Sequence, residues 1–278
     1  MRQGVILSII VLTIFCAPIF GYDWFTNPGD GSPENPYQIS TPEQLMSIGS
    51  NADLLDKHFE LTHDIVFDPN NNLAHVFSRA LIAPDIDTSN SSSFDQIPFT
   101  GTFNGNGYSI RNLKILNDSV YENYLGLFGY VTGNSPNVTV ISNLSIISAG
   151  IGKHRFGGYL GTLVGKFENG LIDNCHAVSV SVKGEHDLGG LVGYSTGSNF
   201  QNCSVSGQVT GSGFYCGGLV GQNDGGISNC QTNCTVLSDS SMVGGFIGDH
   251  RSGNIINCSA KGIVKGTSNV GGLVGVLD

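Results

Sequence analysis

The sequence predicts an all-β fold: a parallel β-solenoid with about one coil per 27–28 residues, preceded by a small cap. Three observations predict it. First, a glycine-flanked motif recurs: GTLVG at Gly161–Gly165, GGLVG at Gly189–Gly193 and Gly217–Gly221, GGFIG at Gly244–Gly248, GGLVG at Gly271–Gly275. The starts lie 28, 28, 27 and 27 residues apart. Second, an Asn-Cys pair keeps step, at Asn174-Cys175, Asn202-Cys203, Asn229-Cys230 and Asn257-Cys258, spaced 28, 27 and 28. A fixed period of this length marks stacked units that cannot bury their apolar faces alone. Third, 40 of the 278 residues are glycine, and the repeats carry β-branched residues without a run of helix formers. That composition favours short strands and frequent turns.

Taken in order, residues 1–21 read as a secretory signal. Arg2 supplies positive charge, Val5 to Phe15 is apolar, and Gly21 offers a cleavage point before Tyr22. The apolar stretch is shorter than the ~20 residues of a spanning helix. The chain is therefore expected to be exported, secreted or held at the cell surface, without membrane insertion once the signal is removed.

Residues 22–98 form a non-repeating N-terminal cap region. Gly29-Asp30-Gly31-Ser32-Pro33 reads as a loop and Pro36-Tyr37-Gln38-Ile39 as a short strand. Thr41-Pro42-Glu43-Gln44 signals a helix start, with a Thr cap, Pro first and Gln third. Phe59–Thr62 and Ile65–Phe67 read as strands, and 70–95 as a long polar surface loop.

From Phe99 the solenoid is expected, over residues 99–278. Phe99 to Gly107 reads as a strand and tight turn. Leu125-Gly126-Leu127-Phe128-Gly129 is a degenerate form of the glycine motif, and Ile141-Ser142-Asn143-Leu144 of the Asn-Cys element. Each regular unit holds the glycine-motif strand and a second strand. The second runs from Ile172, Phe200, Ile227 or Ile255 through the Asn-Cys pair. Helical repeats are excluded because nothing has helical periodicity, and a propeller blade needs more residues.

Equivalent side chains would stack about 4.8 Å apart up the axis. Asn174, Asn202, Asn229 and Asn257 are then expected to form an amide ladder. Cys175, Cys203, Cys230 and Cys258 are expected to form a column of buried thiols, acting as small hydrophobes. Cysteines at one repeat position do not read as a disulfide framework. Cys230 and Cys234 have no histidine at zinc-site spacing.

These residues resemble the GLUG-motif family of secreted bacterial repeat proteins. The resemblance rests on the repeated GG-[LF]-[VI]-G with I-x-N-C. It also rests on upstream pieces such as Asn35–Ser40, Glu43-Gln44-Leu45, Leu61–Ile65 and Phe99–Gly107. It covers nearly all of the chain after residue 21. It implies a right-handed parallel β-helix outside the cell. Its relatives are adhesin-like surface proteins and the non-catalytic part of some IgA-cleaving metallopeptidases. The family has no agreed catalytic residues, so none carries over.

The search for chemistry finds no catalytic motif. Gly161 to Phe167 misses phosphate-loop spacing and ends in Phe where Ser or Thr must meet magnesium. No His-Glu pair opens an H-E-x-x-H zinc motif. Lys153-His154-Arg155, Glu185-His186-Asp187 and Asp249-His250-Arg251 read as solvated turn tips, with a polar groove as the sharper alternative. The acids from Gly157 onward, Glu168, Asp173, Glu185, Asp187, Asp224, Asp239, Asp249 and Asp278, show no common repeat position. Asp30, Glu34, Asp85 and Asp87 could offer oxygens to calcium without forming a site. No cofactor is expected.

The net charge of −10 argues against nucleic acid and anionic membrane surfaces. The function expected is non-enzymatic: adhesion or scaffolding through the solenoid flanks, on extracellular polysaccharide or protein. The alternatives are a lyase or hydrolase acting on polysaccharide, and a fragment of a larger surface protein or peptidase. The last coil lacks a capping segment, so self-association through that end is also expected.

Overall fold

The computed structural model describes residues 22–67, 76–86, 94, 96–117, 122–133, 138–153 and 158–278. The expected signal segment lies outside them. The described chain is a β-solenoid whose coils pair strand on strand in parallel.

Each coil has three faces. The long-strand face holds Thr139–Ile147, Gly170–Gly184, Ser204–Gly211, Gln231–Ser238 and Ser259–Lys265. A second face is a ladder of short strands, Tyr124–Leu125, Tyr159–Leu160, Leu188–Gly189, Cys216–Gly217, Ser241–Gly244 and Ser268–Gly271. The third holds Phe128–Thr132, Val164–Glu168, Val192–Thr196, Val220–Asp224, Ile247–Ser252 and Val274–Leu277. Phe128 and Leu144 stand in register with Val164 and Cys175, so both degenerate motifs form ordinary parts of their coil.

The glycine motif explains how the second and third faces meet. A Cβ on Gly193 would lie 2.4 Å from the Leu160 amide nitrogen and 2.7 Å from the carbonyl oxygens of Asp187 and Gly165. Those are backbone atoms that cannot swing aside. Only glycine lets this strand residue of the third face lie so close to the backbone of the second.

The core is a set of stacked columns. Tyr37, Phe59, Phe103, Ile141, Ile172, Phe200, Ile227 and Ile255 pair in register from the first strand to the last coil. The segment 37–61 thus supplies the first rungs of the same ladder. Trp24 closes that end, with ring centroids 5.0 Å from Tyr37 and 5.5 Å from Phe59. Its indole N–H donates to Ser47 Oγ at 3.1 Å.

The helix begins where the sequence places it. Pro42–Ile48 is helical, the Thr41 hydroxyl accepts from the Gln44 amide, and the Gln44 side chain answers at the Thr41 amide. Leu45 and Ile48 are fully buried. The loop expected over 70–95 differs from expectation where it is described. Val76–Phe77 is a strand, and Ala80, Leu81, Ile82 and Ala83 are buried. That apolar run covers the open side of the first coils, with Ile82 bridging Phe128.

Candidate functional site

The Asn-Cys elements that dominate the sequence place their thiols in the core and their asparagines at bends. Cys175, Cys203 and Cys230 are 1% exposed, and Cys258 in the last coil is half-buried. Burial pushes the Cys175 thiol up to about 12, which suppresses the reactive thiolate. Asn143, Asn174, Asn202, Asn229 and Asn257 all sit near φ +54 in the left-handed region. Asparagine tolerates that conformation. The bend turns the side chains of Asn174, Asn202, Asn229 and Asn257 outward, where they are exposed rather than buried. The amide ladder is discontinuous. Asn174 donates to Asn143 at 2.9 Å and Asn257 to Asn229 at 3.3 Å, whereas Asn202 donates to Asp173 Oδ1 at 2.8 Å.

The third face presents a different surface. Residues two apart on a strand share a side of the sheet. One column runs through Tyr130, Lys166, Tyr194, Gln222 and Asp249, and its neighbour through Thr132, Glu168, Thr196, Asp224 and Ser252. Glu168 and Asp224 therefore do share a repeat position, two coils apart. Their spacing of 56 residues was the signal; Thr196 in the coil between them hides it.

Aromatic rings line this flank. Tyr130 packs 4.9 Å from Phe94 and 6.1 Å from Tyr124. Tyr124 packs 5.3 Å from Tyr159, and Tyr159 5.3 Å from Tyr194. Lys166 Nζ sits 4.6 Å above the Tyr130 ring and 2.9 Å from Glu168. Farther along, His186 stacks on Phe214 at 5.6 Å, and Phe214 neighbours Tyr215. Tyr130, Tyr159, Tyr194 and Tyr215 all keep part of their surface in solvent.

Hydrogen bonding follows the second column. The Tyr130 hydroxyl donates to Glu168, Ser252 donates to Asp224, and Thr196 donates to Asp224 at 3.4 Å. Burial and the bond to Glu168 raise the Tyr130 phenol above its usual range. Burial does the same for Tyr159 and Tyr194, aided by neighbouring carboxylates.

Asp187 and Asp249 belong to this flank too. Asp249 is 3% exposed, and its Oδ2 accepts from Gln222 Nε2 at 2.9 Å and Arg251 Nε at 3.1 Å. Its Oδ1 is sealed from solvent with no hydrogen-bond partner, as is Oδ1 of Asp187. Burial pushes the Asp187 carboxyl up to about 7; the Asp249 charge adds to the rise and Arg251 opposes it.

The charged triplets read as turn tips divide. Glu185-His186-Asp187 occupies a turn. Asp249-His250-Arg251 lies inside strand Ile247–Ser252, and His250 is 1% exposed. Its register with the inward residues Phe167, Ser195 and Asn223 forces it into the core. There it meets Asn223 Nδ2 at 3.1 Å and the Gly253 carbonyl at 3.1 Å. His154, Arg155 and Asp87 lie outside the described residues. Asp30 accepts from the Ser32 amide as a loop cap, and Asp85 is buried. Among the described residues no group of three His, Cys, Asp or Glu side chains could hold a metal ion.

Comparison with known proteins agrees with this architecture. The model of a family described as the GLUG motif matches residues 184–210, one full repeat unit. Halomucin from Haloquadratum walsbyi is 34% identical over 177 residues, 61% of this chain and 2% of its own. This chain thus spans a small fraction of that relative's length. A solved structure provisionally assigned as an immunoglobulin A1 protease from Bacteroides ovatus superposes with a TM-score of 0.61. It is 20% identical, with 89% of this chain and 73% of that chain covered. At that identity the likeness shows the fold alone. The matched unit contains GGLVG at Gly189–Gly193 and Asn202-Cys203, so residues 184–210 carry a GLUG motif, and the same pattern recurs in the coils around it.

Proposed function

We propose that this protein is a surface-exposed or secreted repeat module that works without catalysis. It adheres or scaffolds by binding glycan or protein along the tyrosine-lined flank. The observation that carries the reading is the pairing of two columns on one face. Aromatic rings recur along the axis at Tyr130 and Tyr194, with Tyr159 of the adjoining short-strand face packed against Tyr194, beside hydroxyls and carboxylates at Glu168, Thr196 and Asp224. Such a strip offers flat apolar contact and convergent polar groups over an extended length. Export is supported by the signal-like first 21 residues. A surface location is supported by the family and by the likeness to halomucin.

A second reading, cleavage of a polysaccharide, is favoured by one observation. Asp249 is held by two donors while Asp187 is pushed toward protonation near neutral pH. Unequal carboxylates are what acid–base chemistry requires.

One experiment separates the two. The purified protein is incubated with a panel of polysaccharides, and retention and new reducing ends are measured in the same tubes. Retention without release supports the binding module. Release of reducing ends that Asp187→Asn abolishes overturns it in favour of the enzyme. Absence of retention on every polysaccharide removes glycan as the ligand.

A further inference from the structure

We infer that the tyrosine-lined flank takes an uncharged polysaccharide, laid along the solenoid axis, and turns away polyanionic ones. This rests on reading the flank as a binding surface, and it adds the class of ligand and its direction.

The direction comes from the repeat. Equivalent positions on neighbouring coils lie about 4.8 Å apart. An extended pyranose chain advances by a similar step per sugar, so one sugar can meet one coil. The Tyr130, Lys166 and Tyr194 column and the Glu168, Thr196 and Asp224 column both run along this axis. A chain lying across the coils would meet each column only once. Rings at Tyr130, Tyr159 and Tyr194 match the flat apolar faces of pyranoses.

The charge class comes from which groups are already engaged. Lys166 is bonded to Glu168 at 2.9 Å and stands over the Tyr130 ring. Arg251 is bonded to Asp249 at 3.1 Å. Each cation already shares its charge with a carboxylate, so a ligand carboxylate or sulfate would have to compete for it. On the same flank Glu168, Asp224 and Asp249 outnumber these two cations. An anionic chain would be repelled and would find no unshared cation. A neutral glycan brings hydroxyl donors, which carboxylates accept well. Glu168 and Asp224 are part-exposed acceptors in the accessible column.

The test measures retention of the protein on cellulose, mixed-linkage β-glucan, mannan, polygalacturonate and alginate, at low and high salt. Tyr194→Ala and Asp224→Lys are run beside it, with thermal melting as the check on folding. The expected result is retention on a neutral glycan and none on the polyuronates at low salt. Tyr194→Ala should weaken that retention roughly tenfold. Asp224→Lys should admit polyuronate, because it reverses the charge of an exposed group on the flank. High salt should narrow the difference between neutral and acidic chains by screening. Equal retention of polyuronate and neutral glucan at low salt, lost with Tyr194→Ala, would overturn the charge class and leave glycan binding standing. Neutral-glycan retention that ignores Tyr194→Ala would overturn the placement on this flank. Retention on no polysaccharide would overturn both this inference and the glycan reading beneath it.

Discussion

Asp187 shows how much one side chain's setting can depart from its sequence context. It lies in a charged triplet that reads as solvent-facing, yet the turn presses against the glycines of the next strand and seals Oδ1. Its carboxyl is pushed from its ordinary value of 3.8 up to about 7. Between those values the folded chain holds a proton that the unfolded chain has released. Stability therefore falls as pH rises from about 4 to about 7. Asp187→Asn should remove this part of the pH dependence. Its melting temperature should match wild type near pH 4 and exceed it near pH 7.5, as read by thermal denaturation. The thiol column makes a second prediction at this scale. Cys175, Cys203, Cys216, Cys230 and Cys234 are buried, and Cys258 is half-buried. A thiol reagent should modify Cys258 first, and the others only on unfolding, as peptide mass analysis would show.

Single elements carry the next set of consequences. The helix Pro42–Ile48 was legible because its capping signal is local: Thr41, Pro42 and Gln44 act within one turn. Thr41→Ala should cost about 1 kcal/mol in denaturant unfolding. The glycine motif was legible as a repeat, but its purpose was not. Only the structure shows that Gly193 faces three backbone atoms of neighbouring strands. Gly193→Ala should destabilise by roughly 1–3 kcal/mol or more, since backbone cannot be repacked as a side chain can. The buried run Ala80–Ala83 was not legible. Its flanking polar residues suggest a loop, and burial there depends on the first coils already being in place. Deleting the ring of Phe200, from the middle of the longest core column, should cost about 3–5 kcal/mol.

For the whole molecule, periodicity was enough to read the solenoid, because stacking demands the same residue class at the same position in every coil. The flank was harder to read for the opposite reason. A column outside the apolar core need not repeat one residue, so Tyr130, Lys166 and Tyr194, part-exposed, and Gln222 and Asp249, buried, share a line without sharing chemistry. The Asn-Cys repetition is conspicuous and structural, while the variable positions between the repeats form the surface that a ligand can meet. That division is the central claim. It is tested most directly by backbone hydrogen–deuterium exchange of the protein with and without a retained soluble glucan. The account predicts slowed exchange in Phe128–Thr132, Val164–Glu168 and Val192–Thr196, with the long strands Gly170–Gly184 and Ser204–Gly211 unchanged. Slowed exchange on the long-strand face, with the tyrosine flank unchanged, would contradict it.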